Sequence, residues 1–341
     1  MQSHPHVAIA LLNYNGRKHL ETYLPSVLNV TYPNHSIWVI DNASTDDSVA
    51  FLQQHFPQVK LVVNPMNGGF AQGYNMGLQH IDAPYILLLN TDVAVTPGFL
   101  HPLTDSMERQ PDMAFIQPRI CADKNPQYFE YAGAGGGLMD MLGYPFCRGR
   151  LFESVEKDDG QYNDEQLLFW ASGAAMLVRK KVFDGLGGFY PFFFMHNEEI
   201  DLCWRALNNG WTVGYNGNAV VYHLGGGSLA KESPRKTWFN FRNNLIMLTR
   251  NMPISWLVLL LPIRLGLDMA AALQMLLSNN SSNALSVIKA WGAFLSWLVM
   301  PGSQKWPGHR QSFRGPGRYR GSIVWQHFVK KHRQTSAFYK P

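Results

Sequence analysis

The chain has 341 residues, of which 46% are hydrophobic and 16% are charged, and its formal net charge is +5. This composition supplies enough apolar material to bury the core of one large domain or of two ordinary ones. The three cysteines, Cys121, Cys147 and Cys203, are scattered and include no C-x-x-C pair, which excludes a disulfide framework and a structural zinc site. A reducing, cytosolic compartment is therefore expected.

Charge is unevenly divided along the chain. Residues 269–341 contain ten Lys or Arg and no Asp or Glu, whereas residues 1–268 contain 19 basic and 24 acidic residues. A basic segment suits an anionic surface, either lipid head groups or nucleic acid. Because these basic residues are spread among apolar stretches, we predict an anionic membrane surface as a partner and no nucleic acid.

The first hundred residues alternate apolar runs with helical segments. The opening stretch MQSHPHVAIALLNY lacks the basic start, apolar run and cleavage site of a signal peptide, so VAIALLNY is predicted to be the first core strand. Continuous apolar strands alternating with helices predict a parallel sheet covered on both faces. The predicted strands are residues 7–14, 37–43, 60–65 and 85–92. The predicted helices lie near residues 17–29, 46–55 and 71–81.

Polar residues end each of the predicted strands. Asn13, Asp41, Asn64 and the pair Asn90 and Asp92 all follow apolar runs. The ligand sites of open α/β sheets lie at the carboxyl ends of the strands. The four strand ends are therefore predicted to converge on one site.

The middle of the chain is less regular. A glycine cluster at residues 132–140 and a polar stretch at 153–165 predict loops, and order returns at residues 167–183. From Trp238 onwards the composition changes again, so the predicted domains are residues 1–237 and 238–341.

The second predicted domain contains strongly apolar stretches at residues 254–263 and 284–300. Neither reaches the ~18 uninterrupted apolar residues of a membrane span, and Arg264, Asp268 and Lys289 interrupt the region. We therefore predict amphipathic or re-entrant helices that lie on a membrane. A packed helical subdomain, a dimer interface and true spans are the alternatives.

Three motifs near the strand ends contain candidate ligand-binding residues. In DNASTDDS (41–48), Asp41 precedes a helix cap, where a carboxylate can accept a hydrogen bond from a base N–H or a ribose hydroxyl. In NPMNGGFAQGYNMG (64–77), glycines before a helix let the backbone approach a ligand closely. In LLLNTDVAV (87–95), Asp92 suits a hard divalent cation. Taken alone, each motif also fits an ordinary cap, loop or strand-end turn.

The stretch FFFMHNEEIDLCWR (192–205) places Glu198, Glu199 and Asp201 within four positions. Neighbouring carboxylates raise each other's pKa, which suits a general base that works near neutral pH. The same residues also fit an ordinary helix start, because acidic side chains in the first turn favour the helix dipole. The aromatic residues before them, with Trp170, suit either an acceptor platform or the core.

Together, these motifs resemble family 2 glycosyltransferases. The ordered match consists of D-N-A-S-T-D, N-x-G-G-F-A-x-G-x-N-x-G, N-T-D and S-G-A-A-M-L-V-R…G-G-F…E-E-x-D-L-C-x-R, and it covers about residues 7–225. More narrowly, the match is similar to the bacterial rhamnosyltransferase-like branch, as is R-N-N at 242–244. The resemblance implies an α/β fold of the GT-A type, Rossmann-like, with a mixed, mainly parallel sheet flanked by helices and with C-terminal apolar helices.

The resemblance also implies roles for residues in the donor site. Asp41 corresponds to the carboxylate that binds a pyrimidine base, and Asn13 lines the nucleotide pocket. The other implied contacts to the nucleotide sugar are Asn67, Gly69, Phe70, Gly73, Asn75, Asn90 and Thr91.

For metal and catalysis, the resemblance again points to particular residues. Asp92 corresponds to the last Asp of the family's D-x-D metal motif, and Asn90 stands where its first Asp is usual. His223 matches a downstream histidine that can ligate the metal, which implies Mg²⁺ or Mn²⁺. Glu199 stands where the family's base is usually Asp, and Glu198 and Asp201 complete the acidic group.

The function implied is inverting transfer of a sugar, foremost rhamnose from dTDP-rhamnose, to a lipid-diphosphate-linked acceptor in O-antigen-like surface polysaccharide biosynthesis. The enzyme is expected at the cytoplasmic face of the inner membrane, peripheral or monotopic, and a homodimer is left open. The alternatives are a transferase of another hexose from a UDP-sugar and a non-catalytic membrane-bound scaffold. A processive synthase would need several spans and a Q-x-x-R-W motif, which the sequence lacks.

Overall fold

The structure is a computed structural model, and it describes residues 4–225, 233–302 and 315–339. The strands of the described residues are β1 (Val7–Asn13), β2 (His35–Asp41), β3 (Lys60–Val63), β4 (Tyr85–Asn90), β5 (Val93–Val95), β6 (Met113–Ala122), β7 (Asn125–Phe129), β8 (Gly137–Met139), β9 (Pro145–Cys147), β10 (Arg150–Leu151), β11 (Ser154–Val155), β12 (Glu165–Leu168), β13 (Ala175–Arg179) and β14 (Thr212–His223). The helices are α1 (Arg17–Leu28), α2 (Ser48–His55), α3 (Gly69–Gly77), α4 (Leu100–Arg109), α5 (Lys180–Gly185), α6 (Glu198–Asn208), α7 (Pro234–Asn251), α8 (Ile254–Leu277) and α9 (Ser281–Val299).

A ten-stranded mixed sheet forms the centre of the molecule. Its main path runs β12-β14-β6-β13-β4-β1-β2-β3, with β5 paired to β14 and β7 paired to β6. Strands β1 to β4 are mutually parallel where they pair, and β13 is inserted antiparallel between β4 and β6. Residues 7–11 of β1 are fully buried, as expected of an apolar strand covered on both faces. The predicted mixed sheet and its first four strands are confirmed.

The middle of the chain is more regular than predicted. The ten-residue strand β6 was not predicted, and β8 and β11 lie inside the two stretches predicted as loops. Strand β6 was hidden because Gln117, Pro118 and Arg119 interrupt its apolar run. In the sheet, the Gln117 side chain is buried and its Oε1 accepts a hydrogen bond from the Ser172 amide at 2.8 Å. Strands β8 to β11 form a separate four-stranded sheet.

Helix α7 is part of the hydrophobic core of the central sheet. Its residues 245–248 are fully buried and belong to the same apolar cluster as β4, β13 and α6. The core therefore continues across residue 237, where the sequence analysis divides the chain. That division stays a prediction.

Helix α8 has one buried face and one exposed face. The buried residues Leu257, Leu260, Arg264, Asp268 and Ala272 recur every three or four positions, so they form a single stripe. In this stripe Arg264 Nη2 lies 3.7 Å from Asp268 Oδ1. Among the described residues, α8 is the helix that is long and apolar enough to cross a membrane by length and composition.

Residues 315–339 of the basic C-terminal segment pack onto the small sheet. Ile323 joins an apolar cluster with Leu138, Phe146 and Leu151. The Thr335 amide donates a hydrogen bond to Glu156 Oε1 at 2.7 Å. This part of the predicted tail is therefore integrated into the fold, while residues 303–314 and 340–341 lie outside the described residues.

Candidate active site

The carboxyl ends of β1 and β2 place Asn13 and Asp41 side by side. The two residues are direct partners in the parallel ladder, and both are buried. Asn13 Nδ2 donates to Asp41 Oδ2 at 2.9 Å, and the Ser44 amide donates to Asp41 Oδ1 at 2.9 Å. The predicted base-binding carboxylate is thus held rigidly at the sheet edge.

The glycine-rich segment, residues 64–77, is organised by Asn42, which was not among the predicted site residues. Asn42 Nδ2 donates to Gly69 O at 2.9 Å and to Asn67 Oδ1 at 3.1 Å. Its Oδ1 accepts from Asn64 Nδ2 at 3.2 Å. A Cβ added at Gly73 would lie 2.8 Å from the Asn42 amide, so glycine is required there for close approach. The segment is fixed against the end of β2.

Two further predicted contact residues face the segment before α6. Asn75 Nδ2 donates to Phe189 O at 2.8 Å, and Asn75 Oδ1 accepts from the Phe189 amide at 2.9 Å. The Phe70 ring packs edge-to-face on Phe189 with 5.6 Å between centroids. Asn75 therefore acts mainly as a brace between α3 and this segment.

Gly69 is the position in this region where backbone geometry demands glycine most strictly. Its φ is +66°, and a Cβ there would collide with the carbonyl oxygen of Phe194. We expect Gly69→Ala to lower the free energy of unfolding by about 1–3 kcal/mol or more, because backbone strain and the steric collision both destabilise the folded state. Gly185→Ala is the control, because a Cβ at Gly185 meets nothing within 4 Å. Denaturant unfolding of both variants measures the difference, and equal stabilities would contradict it.

Asp92 and His223 meet at the end of β14. His223 Nε2 lies 3.2 Å from Asp92 Oδ1, and His223 Nδ1 lies 3.1 Å from Glu130 Oε2. Asn90 Nδ2 lies 3.4 Å from the same Nε2. All three ionisable side chains are buried. Thr91 lies between Asn90 and Asp92, at the turn that follows β4.

The ionisation of this group follows from its contacts. Burial alone would lower the pKa of His223, but hydrogen bonds to Asp92 and Glu130 raise the pKa to about 10. Burial opposes ionisation of Asp92, yet its hydrogen bond to His223 holds the pKa of that carboxyl below its ordinary value. In the metal-free protein the histidine is therefore a cation between two carboxylates.

The donor set fits a divalent cation that is completed by other ligands. Glu130 holds Nδ1 and directs Nε2 at Asp92, which is the arrangement of a metal-ligating histidine with an outer carboxylate. The described residues contain no cluster of three or more His, Cys, Asp or Glu side chains that could hold a metal. Two protein ligands suit Mg²⁺ or Mn²⁺ when substrate phosphates supply further oxygens.

Glu198 and Glu199 begin α6, and each has one buried carboxylate oxygen with no partner in the part of the chain that the structure describes. This atom is Oε2 in both residues. Burial, followed by the neighbouring Glu199 carboxylate, raises the pKa of Glu198 well above its ordinary value. Burial also raises the pKa of Glu199 to about 7. A carboxylate with an unoccupied oxygen and a pKa near neutrality has the properties of a general base.

Asp201 is placed differently from the two glutamates. Its Oδ2 accepts from Arg205 Nε at 2.8 Å, and its Oδ1 accepts from Arg250 Nε at 3.0 Å and Asn251 Nδ2 at 2.8 Å. Burial opposes ionisation, but Arg250 and Arg205 hold the pKa of Asp201 below its ordinary value. Asp201 is fully buried and its oxygens are occupied, so it positions α6.

Gly173 and Ala174 link the group around Asp92 and His223 to the glutamates. The Asn90 amide donates to Ala174 O at 2.9 Å. A Cβ added at Gly173 would lie 3.7 Å from Glu199 Cβ and 2.9 Å from the Phe70 ring. The end of β4, the glycine-rich segment and Glu199 therefore border one site. Trp170 lies in the core, where its indole N–H donates to Leu138 O at 2.9 Å.

Comparison with known proteins identifies the family. The model of glycosyl transferase family 2 matches residues 8–187, which is more than half of the chain. The chain is a family 2 glycosyltransferase. The resemblance noted in the sequence is thereby confirmed.

Two relatives of this glycosyltransferase extend the comparison beyond the family match. It is 28% identical over 233 residues to N-acetylglucosaminyl-diphospho-decaprenol L-rhamnosyltransferase of Mycobacterium tuberculosis (strain CDC 1551 / Oshkosh), covering 63% of this chain and 75% of the relative. It is 21% identical over 245 residues to the low-salt glycan biosynthesis hexosyltransferase Agl10 of Haloferax volcanii, covering 70% and 74%.

Solved structures confirm the GT-A fold. A mannosyltransferase from Pyrobaculum calidifontis, in complex with GDP-Man and Mn²⁺, superposes with a TM-score of 0.55 at 13% identity, covering 88% of this chain and 89% of that one. GalNAc-T7 with UDP, GalNAc and Mn²⁺ superposes with a TM-score of 0.57 at 15% identity, covering 74% of this chain and 49% of that one. At these identities the likeness establishes the fold.

Proposed function

We propose that this glycosyltransferase moves a sugar, foremost rhamnose from dTDP-rhamnose, onto a lipid-diphosphate-linked saccharide, with inversion at the anomeric carbon. The observation that carries the proposal is the buried Oε2 of Glu199, which has no hydrogen-bond partner among residues 4–225, 233–302 and 315–339. Glu199 lies beside the Gly173–Ala174 segment, which bonds the end of β4. The name of the mycobacterial relative, an N-acetylglucosaminyl-diphospho-decaprenol L-rhamnosyltransferase, supports the choice of rhamnose and of a lipid-diphosphate-linked acceptor.

Glu199 takes the proton of the acceptor hydroxyl in the proposed reaction. As that oxygen bonds to the anomeric carbon, the bond from the carbon to the diphosphate oxygen breaks and the nucleoside diphosphate leaves. One base is enough for inversion, because no covalent glycosyl-enzyme forms. Asp41 and Asn13 orient the base and ribose, and the segment from Asn67 to Asn75 encloses the donor.

Asp92 and His223 would hold a divalent cation, with Glu130 fixing the imidazole and Asn90 beside it. When bound, Mg²⁺ or Mn²⁺ supplies positive charge that stabilises the departing diphosphate. The Glu130 carboxylate lies 3.1 Å from Nδ1, so Nε2, which faces Asp92, is the nitrogen we propose for the metal. The solved structures of GalNAc-T7 and of the Pyrobaculum calidifontis mannosyltransferase both contain Mn²⁺, which is consistent with this role.

A panel of donors tests the proposal. We expect nucleotide release from dTDP-rhamnose, dependent on Mg²⁺ or Mn²⁺, when a lipid-diphosphate-linked saccharide is supplied. Turnover of a UDP-hexose instead would support the second candidate, a hexosyltransferase. Failure of every dTDP-, UDP- and GDP-sugar under these conditions would contradict nucleotide-sugar transfer.

Helices α8 and α9 provide the surface proposed to meet the membrane at the cytoplasmic face. The buried stripe of α8, including the Arg264–Asp268 pair, faces the protein, so its polar residues need no lipid contact. The opposite sides of α8 and α9 expose large apolar residues: Ile254, Val258, Leu259, Ile263, Leu273, Leu277, Leu285, Ile288, Leu295 and Val299. A helix with one face docked on its own domain suits in-plane contact with lipid.

Introducing charge on this apolar face tests membrane docking. We expect Leu259→Glu combined with Leu277→Glu to abolish flotation of the full chain with anionic phospholipid vesicles, because two exposed apolar contacts become charged. Val63→Glu is the matched control, since Val63 is an exposed apolar residue on β3. If the double variant still floats and instead changes the oligomeric state, the face is a dimer interface.

A further inference from the structure

The backbone that leads into α6 is strained. Phe194, His196 and Asn197 have φ values of 64°, 67° and 69°, although none is glycine. Phe194 has the rare γ-turn conformation, with ψ at −58° and a 2.7 Å hydrogen bond from the Met195 amide to Phe193 O. Such geometry persists only where the surroundings impose it. Because Asn197 directly precedes the two glutamates, this backbone sets the direction in which α6 presents them.

Helix α7 supplies the hydrogen bonds that hold this turn. Arg242 Nη2 donates to two carbonyl oxygens of the turn and Asn243 Nδ2 donates to three. The acceptors of Arg242 are Phe192 O at 3.0 Å and Phe193 O at 3.1 Å, and those of Asn243 are Phe193 O at 3.0 Å, Met195 O at 2.8 Å and His196 O at 2.8 Å. Arg242 Nε also donates to Asn243 Oδ1 at 2.8 Å, so the two side chains act as one unit.

The same turn contacts the glycine-rich segment. Phe194 O accepts hydrogen bonds from the Phe70 amide at 2.7 Å and the Ala71 amide at 3.1 Å. These are amides of the first turn of α3, which an α-helix leaves without internal partners. The turn therefore joins the segment proposed to enclose the donor to the helix that carries the proposed base.

The far end of α7 anchors α6 a second time. Arg250 and Asn251 bond Asp201 in the first turn of α6. Glu198 and Glu199 thus lie between two anchors, the turn held by Arg242 and Asn243 and the Asp201 cluster. No described side chain donates to the buried Oε2 atoms of these glutamates, so the backbone path into α6 has a large part in placing them.

From this geometry we infer that Arg242 and Asn243 are positioning residues that set the distance between donor and base by clamping the turn at residues 192–197. The inference rests on the proposed role of Glu199. The clamp acts on placement, so its loss lowers kcat and leaves donor affinity nearly unchanged. A misplacement of about 1 Å costs roughly 100-fold in rate.

The test compares neighbouring asparagines in the full chain. Asn243→Ala removes the clamp, whereas Asn244→Ala removes a buried asparagine of the same helix whose Nδ2 bonds Gly143 O at 3.1 Å, away from the turn. We expect kcat for dTDP-rhamnose, or for the donor that the panel identifies, to fall about 100-fold in Asn243→Ala and less than about threefold in Asn244→Ala. The donor KM should change little in either variant. Hydrogen exchange of a peptide covering residues 190–198 should rise only in Asn243→Ala.

Equal losses of kcat in both variants, or an unchanged kcat in Asn243→Ala, would overturn the inference. If Asn243→Ala does not fold, Arg242→Lys and Arg242→Met replace it, since lysine can still donate to the carbonyls and methionine cannot. The clamp requires the lysine variant to retain more activity than the methionine variant. The exchange measurement needs no substrate, so a failed clamp is distinguishable from a failed assignment of Glu199, which would appear as full activity in Glu199→Gln.

Discussion

Replacing Glu199 with Gln is expected to lower kcat by about 10²–10⁴-fold while donor binding is retained, because the amide cannot accept the acceptor's proton. Single-turnover transfer and calorimetric donor binding measure the two effects.

The pH dependence of Glu199 gives a second expectation. Burial raises the pKa of Glu199 to about 7, so the wild-type rate should rise as the pH passes through about 7. Glu199→Gln should unfold with at least the same free energy as the wild type at a pH above about 7. A carboxyl whose pKa is raised by folding favours the folded state at low pH and loses that contribution as the pH rises to the folded pKa.

Glu198 supplies the comparison for this prediction. It is adjacent and buried, and its Oε2 also has no hydrogen-bond partner among the described residues. Burial, followed by the neighbouring Glu199 carboxylate, raises its pKa as well. We expect Glu199→Asp to retain activity, since Asp is usual at this place in the family. Activity lost in Glu198→Gln and kept in Glu199→Gln would move the base by one residue.

Replacing Asp92 with Asn should weaken Mn²⁺ binding and lower kcat by at least about 100-fold, because a metal ion contributes several kcal/mol of charge stabilisation. Mn²⁺ titration in the presence of dTDP or UDP measures binding independently of turnover. Glu130→Gln should weaken binding by about 10–100-fold, since it only orients His223. The exposed Glu165, which pairs with Arg109, provides Glu165→Gln as the control. Unchanged Mn²⁺ affinity in Asp92→Asn would contradict the assignment of the metal site.

The sheet and its polar edge were predictable because their signals are local. Apolar runs ending in Asn13, Asp41 and Asn90 predicted parallel strands, and parallel register alone brings such ends together. Strand β6 was missed because a buried glutamine and a proline look like a loop in sequence, although the Gln117 side chain has partners in the fold. Glu130 follows β7, which the sequence did not reveal, so its contact with His223 was not anticipated.

The different environments of the acidic residues at the start of α6 were also not predictable from the sequence. Glu199 and Asp201 are close in sequence, but at about 100° per residue they point to nearly opposite sides of α6. Asp201 faces Arg205 and Arg250, and Glu199 faces Gly173. The clamp was equally hidden, because Asn243 bonds carbonyls 47 to 50 residues earlier in the chain. Hydrogen bonds to backbone carbonyls place no requirement on the side chains of the accepting residues, so they leave no pattern in the sequence.

The most direct test of the account is the anomeric configuration of the product. The full chain, Mn²⁺, dTDP-rhamnose or the donor that the panel identifies, and a lipid-diphosphate-linked saccharide are incubated, and the new linkage is determined by NMR. A single base at Glu199 predicts a product with the anomeric configuration opposite to that of the donor. A product that retains the configuration of the donor would contradict the account, because it would require a second displacement that this site is not proposed to perform.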